Sequence, residues 1–219
     1  MTSLFDLPCP AIPLDDAEFP VRRIFCIGRN YADHAAEMGV AADRDKPFFF
    51  TKSAHALALP GAIPYPPGTA DLHHEVELVL AIGAPLFSAT TAQAAAAIIA
   101  RAVGLDLTRR DLQAEAKDKR RPWDAAKDFE SSAVIAPLSR AAAGPGIRLS
   151  VNGAVRQDGK LSEMIFDEAA LVVYLSKLYH LQPGDLVMTG TPAGVGALQP
   201  GDRIDAKIDG LPPLSAQIT

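Results

Sequence analysis

The chain has 219 residues, 48% hydrophobic and 21% charged, with a mean hydropathy of +0.10. That is apolar enough to build one full core and argues against whole-chain disorder. Its 21 Lys and Arg against 26 Asp and Glu give a net charge of -5, which offers no basic footprint for nucleic acid. No window approaches about 18 consecutive apolar residues. The first stretch also carries Asp6, Asp15, Asp16 and Glu18 where a secretory signal would be basic and then apolar, so the expected location is the cytoplasm, away from membranes. Cys9 and Cys26 make neither a disulfide framework nor a zinc spacing.

The 18 prolines and 16 glycines predict many turns between short segments rather than a long helical bundle. Without repeats or a Ser/Gly linker, the expected plan is an arm over residues 1–20 and one domain over 21–219. Residues 21–27 read as a strand ended by Gly28. Residues 30–38 have helical composition over only about two turns, marginal without tertiary support and suited to a lid. Residues 47–51 and 76–82 read as strands. The Ala-rich stretch 90–103 predicts a helix capped by Thr90 and stopped by Gly104, followed by a brief strand at 104–107. Thr108 is placed as the cap of a polar helix ending before Pro122. Asp167 is placed as the cap of a helix facing the core through Leu171, Tyr174, Leu175 and Leu178. Residues 181–185 form a turn, 186–189 a strand, and the remainder alternates turn and strand signals. The sum predicts a β-rich α+β fold with a few helices rather than βαβ repeats.

The alternation at 74–78 puts Glu75 and Glu77 on one strand face, with Asp106 ending a second strand. Carboxylates at i and i+2 lie within about 7 Å and repel unless a cation sits between them. Three hard oxygen donors without cysteine favour Mg²⁺, Mn²⁺ or Ca²⁺. A solvated face opposite Val76 and Leu78 explains the same pattern, and zinc at His73 or His74 is disfavoured because neighbours point to opposite faces. His34 and Glu37 share one side of the short helix, as a general base with its orienting carboxylate or as a surface pair. Arg110 and Gln113, also three apart, can reach the end of the Asp106 strand. Residues 117–121 read as the solvated, basic end of that helix; Lys52 and Lys127 cannot be ranked. TGTPAGVG (189–196) lacks the order of a phosphate loop and fits a tight strand exit presenting the Thr189 or Thr191 hydroxyl. No nucleophile elbow is present.

Taken in order, GRNYADHAAEM (28–38), HHEVEL (73–78), GLDLTRRDLQ (104–113), WDAAK (123–127) and TGTPAGVG (189–196) resemble the fumarylacetoacetate hydrolase family, and the likeness runs from about Val21 to the C-terminus. Within it, PVRRIFCIGRNYADH, PFFFTK and GLDLTRRDLQAEAK are similar to the short bacterial acylpyruvate hydrolases that act on fumarylpyruvate. The resemblance implies a mixed β-roll with a few peripheral helices, a homodimer, and a divalent metal, Mg²⁺ or Mn²⁺ with Ca²⁺ as a substitute in crystals, on Glu75, Glu77 and Asp106. It implies His34 and Glu37 as a lid dyad, Lys127 beside the metal, and Arg110, Gln113 and Thr191 on substrate oxygens. The implied reaction splits a small anionic 2,4-dioxo acid through a metal-stabilised pyruvate enolate, with a role in aromatic compound catabolism. Alternatives are an oxaloacetate decarboxylase on the same scaffold, an isomerase or decarboxylase of muconate-type diacids, and a non-catalytic, metal-dependent dicarboxylate binder. One departure from the family pattern is Ser53 after Lys52, where proline is frequent.

Overall fold

The computed structural model describes residues 4, 7–37 and 44–219, with the backbone alone at 35 and 36. Asp6 and Met38, both used above, lie outside the described residues. The fold is a mixed β-roll built mostly from strands. Its largest sheet has seven strands in the order Phe48–Lys52, Arg23–Gly28, Asp185–Met188, Val76–Ile82, Ile98–Asp106, Ala133–Ile135 and Leu57–Ala58. A five-stranded sheet runs Ala154–Lys160, Gly146–Val151, Arg203–Ile208, Leu214–Ile218 and Ala62–Ile63. A small three-stranded sheet centres on Leu72–His74, between Thr108–Arg109 and Gly196–Leu198.

The strand Val76–Ile82 explains where the site lies. It is buried along its whole length, between Asp185–Met188 and Ile98–Asp106. Its side chains divide by period two: Leu78, Leu80 and Ile82 enter the larger core cluster, while Val79 and Ala81 enter a second cluster on the opposite face. Glu77 shares the face of Val79 and Ala81, and Glu75 precedes it on that face. The neighbouring strand obeys the same parity, with Ala100 and Ala102 in the second cluster and Asp106 in phase with them. Pairing sets Glu77 opposite Gly104, and the Asp106 amide donates to the Glu75 carbonyl at 2.9 Å. Three carboxylates therefore meet at one end of an otherwise apolar face.

The helix expected over 90–103 is shorter than its composition suggests. Thr90 does cap it, with a reciprocal Gln93 bond, but the helix spans Thr91–Ala97 and the chain then becomes the strand Ile98–Asp106. Ile98, Ile99 and Val103 are β-branched, and seven cross-strand pairings with Val76–Ile82 outweigh the helix preference of the alanines. Asp167 caps Glu168–Leu178 as expected. On that helix Leu171 and Leu175 are buried with Val172, whereas Leu178 is 54% exposed. The start of the chain is also more regular than its sequence suggests. Ala11–Leu14 and Ala17–Pro20 form an antiparallel hairpin that packs Ile12, Leu14 and Phe19 into the second core cluster.

Gly104 lies at the tightest point between the central strands. A Cβ there would sit 2.5 Å from Val79 Cγ2 and 3.2 Å from Met188 Cε. Overpacking a filled core costs about 1–3 kcal/mol, so Gly104→Ala is expected to lower unfolding free energy by that amount, read as a reduced midpoint with unchanged slope in urea.

Candidate active site

Glu75, Glu77 and Asp106 each offer a carboxylate oxygen within 4.8 Å of the others, and all three are buried. The solvated-face reading of Glu75 and Glu77 therefore does not hold in the folded chain. Lys127, carried by the short helix Asp124–Lys127, donates to Glu75 Oε2 at 2.8 Å, Asp106 Oδ2 at 2.7 Å and Thr108 Oγ1 at 2.6 Å. Burial alone would depress its ammonium, but Asp106 and Glu75 outweigh it and push it up to about 12. Lys52 is equally buried, with its Nζ 2.9 Å from Asp106 Oδ1 and donating to the Lys127 carbonyl. Arg110 bridges Glu75 Oε1 at 2.7 Å and Gln113 Oε1 at 2.6 Å. Burial works against the Glu75 carboxylate, yet Lys127 and Arg110 prevail and hold it well below the usual range.

Glu77 is the uncompensated member. It accepts one bond, from the Gly190 amide at 2.7 Å, and burial, Asp106 and Glu75 together raise it well above an ordinary glutamate. Asp106 Oδ1 makes no hydrogen bond and has only the Lys52 ammonium beside it. An orphaned carboxylate oxygen beside an acid that lacks a counter-charge, in an all-oxygen donor set, fits a hard divalent cation. His73 and His74 stand outside the cluster: His73 bonds Asp71, and buried His74 bonds Gln157. Among the described residues this is the one such group of metal-ligating side chains.

The six-residue helix Ala32–Glu37 brings His34 to the same pocket. His34 Nδ1 lies 3.4 Å from Glu37 Oε2, and the Gly194 amide donates to Glu37 at 3.1 Å, so the glycine-rich strand exit steadies the dyad. Gly194 has φ +95, and a Cβ there would fall 2.0 Å from the Arg156 carbonyl oxygen, so glycine is required. Burial lowers His34 from its ordinary value, against the opposing pull of Glu75 and Glu37. One pocket is lined by His34, the three acids, Arg110, Gln113, Lys127 and Thr191. The nine residues to which the family resemblance gives roles thus converge, eight on the pocket wall and Glu37 beside His34.

Residues 23–219 match the fumarylacetoacetate (FAA) hydrolase C-terminal family. The chain belongs to the fumarylacetoacetate hydrolase family. Fumarylpyruvate hydrolase of a Ralstonia species is 44% identical over 188 residues, 83% of this chain and 98% of that protein. An oxaloacetate tautomerase of Escherichia coli is 42% identical over 202 residues, 88% of this chain and 91% of its own. Among solved structures, fumarylpyruvate hydrolase from Pseudomonas aeruginosa in complex with Mn²⁺ and pyruvate superposes with a TM-score of 0.95 at 42% identity, covering 100% of this chain and 99% of the other.

Within this family member, several sequence expectations shift. Thr108 caps no helix: the helix is Arg110–Asp118 without a side-chain cap, Thr108 lies in a two-residue strand against His73, and its hydroxyl receives Lys127. Thr189 donates its hydroxyl to the Leu78 carbonyl at 3.0 Å, leaving Thr191 as the residue that faces the pocket. Lys117 lines the pocket instead of closing a solvated helix end. Ser53 donates its amide to Asp128 Oδ1 at 2.9 Å, a bond that proline could not make.

The residue that sequence reasoning missed is Gln157, fully buried on the second sheet. Its Oε1 accepts from Val76 N at 3.1 Å and pairs with His74 Nδ1 at 3.0 Å, and its Nε2 donates to Thr191 Oγ1 at 2.7 Å and the Pro192 carbonyl at 2.8 Å. It ties the acid-bearing strand to the strand-exit loop across 34 and 81 residues of chain, and no local pattern marks it. Gln157→Leu keeps the volume but orphans a buried amide and carbonyl at about 1–3 kcal/mol each. A melting temperature lowered by several degrees is expected, with turnover impaired more than metal affinity measured by calorimetry.

Proposed function

We propose that the chain is a divalent-metal-dependent hydrolase that cleaves the C3–C4 bond of a 2,4-dioxo acid, with fumarylpyruvate split to fumarate and pyruvate. The observation that carries this reading is one pocket lined by both the Glu75, Glu77 and Asp106 cluster and His34. The 44% identity to a fumarylpyruvate hydrolase supports the choice of substrate, and the catalytic unit is assigned to residues 21–219 with 1–20 as an arm. Held by Glu75, Glu77 and Asp106, Mg²⁺ or Mn²⁺ would supply Lewis acidity to the 2-oxo acid end of the substrate.

The chain's own groups do the rest. Arg110 bonds Glu75 and Gln113 through its terminal nitrogens and lines the pocket, so its guanidinium charge is assigned to a substrate oxygen. Thr191 Oγ1 receives Gln157 and keeps its own proton to donate. With Nδ1–H turned toward Glu37, neutral His34 has Nε2 free to take a proton from the water that attacks C4. Cleavage leaves the C3–C4 electron pair on the pyruvate fragment as its enolate, beside the Lys127 ammonium. The proton returned from His34 to C3 completes pyruvate, and the water oxygen remains on fumarate.

A second reading, keto–enol interconversion of oxaloacetate, is favoured by the 42% identity to an oxaloacetate tautomerase. It uses the same proton transfer at C3 and needs no attacking water; oxaloacetate decarboxylation would share that enolate. A panel of fumarylpyruvate, acetylpyruvate and oxaloacetate under one metal separates these reactions. Pyruvate release from the acylpyruvates that stops with EDTA and returns with Mn²⁺ is the expected result, and its absence overturns the hydrolase reading.

His34→Gln should lower kcat by about 10²–10⁴-fold while Mn²⁺ still binds. Because His34 acts as the neutral base and is lowered from 6.5, wild-type kcat/KM should hold level above that pH and fall only at more acidic values. Loss of that acidic limb in His34→Gln checks the assignment.

A further inference from the structure

Of the cations on the pocket wall, Lys127 and Arg110 are ion-paired to the carboxylates below them. Two more, Arg29 and Lys117, line the same pocket and have no acidic partner among the described residues. The Arg29 guanidinium lies over the Phe48 ring at 5.3 Å and Lys117 Nζ over the Trp123 ring at 5.2 Å. Those two rings pack edge to face, 5.1 Å between centroids, so the cations flank one aromatic pair. Gly28 makes room for this arrangement, since a Cβ there would come within 2.7 Å of the Phe48 ring. Arg29 itself is held at φ 61, a left-handed conformation that a non-glycine residue adopts at a cost and that tends to mark functional positions.

The electrostatics point the same way. Burial, then Arg110 and Arg29, lower the Lys117 ammonium from its ordinary value, against the opposing pull of Glu75. A divalent cation on the acids would add to that positive charge. Arg110, Gln113 and Lys117 follow i, i+3, i+7 spacing on one helix, which places Lys117 about 10 Å along the axis from Arg110. In extended fumarylpyruvate the two carboxylate carbons are separated by six carbon–carbon bonds, about 8 Å at roughly 1.5 Å each.

We infer that Arg29 and Lys117 form a subsite for a second, distal carboxylate, so that the enzyme selects dianionic acylpyruvates over monoanionic ones. The inference rests on the hydrolase reading for its substrate and, for its location, on two cations that have no acidic partner among the described residues. Monoanionic acetylpyruvate carries nothing to meet them.

The test compares kcat/KM for fumarylpyruvate and acetylpyruvate in the Mn²⁺-loaded wild type, in Arg29→Asn, which suits a left-handed backbone, in Lys117→Gln, and in the double variant. Loss of charge-assisted bonds should lower the fumarylpyruvate-to-acetylpyruvate ratio by about ten- to a hundredfold in the double variant, chiefly through KM. The charge-keeping Arg29→Lys should retain most of it. Calorimetric titration of fumarate into the same proteins should show a parallel loss of affinity. A ratio that stays constant, whether both activities hold or fall together, overturns the proposal. If neither acylpyruvate is turned over, the hydrolase reading fails and the fumarate titration alone decides: weakened binding in the double variant upholds the subsite, and equal binding removes it.

Discussion

Three carboxylates buried at one end of a sheet are tolerable only with charge around them, because ions removed from water lose several kcal/mol of solvation each. Much of the site follows from meeting that demand. Lys127 neutralises Glu75 and Asp106 together, Arg110 completes Glu75, and Lys52 closes against Asp106. What remains is Glu77 with a single amide donor, a carboxyl without a counter-charge beside it. The cluster is therefore both a structural liability and a prepared coordination site.

The same demand shapes the local chain. Lys127 sits on a four-residue helix whose following residue, Asp128, accepts the Ser53 amide, while Lys52 donates to the Lys127 carbonyl. Lys52 thus braces the backbone that carries Lys127, and Asp128 braces the residue that follows Lys52. On the opposite wall, Gly190 feeds an amide to Glu77 and Gly194 feeds one to Glu37. One turn therefore braces both the acid cluster and the His34–Glu37 pair, and Gln157 anchors that turn from the second sheet. A short helix that would be marginal alone is held where His34 reaches the pocket.

Charge also changes sign across the pocket. The net charge of -5 describes the whole surface, whereas Arg29, Arg110, Lys117 and Lys127 converge on a single cavity with three acids. An anionic substrate of the proposed kind would meet more positive charge there than the net charge suggests, focused by low-dielectric walls. The Phe48 and Trp123 rings pack against the two outer cations, which have no acidic partner among the described residues.

Sequence by itself determined what depends on neighbours in the chain. The period-two placement of Glu75 and Glu77, the His34–Glu37 spacing, the caps at Thr90 and Asp167, and the order of five motifs were legible because side-chain direction and capping are local. Tertiary structure decided what depends on register between distant strands. Pairing of Val76–Ile82 with Ile98–Asp106 turned an alanine-rich helix into a strand and carried Asp106 to the acids, because ladder bonds and burial on both faces exceed a propensity of tenths of a kcal/mol per residue. The roles of Lys52, Lys117, Thr108 and Gln157 were invisible for the same reason. A lone polar residue shows its partner only when the fold closes around it, and these four met theirs across sheets or along the pocket wall.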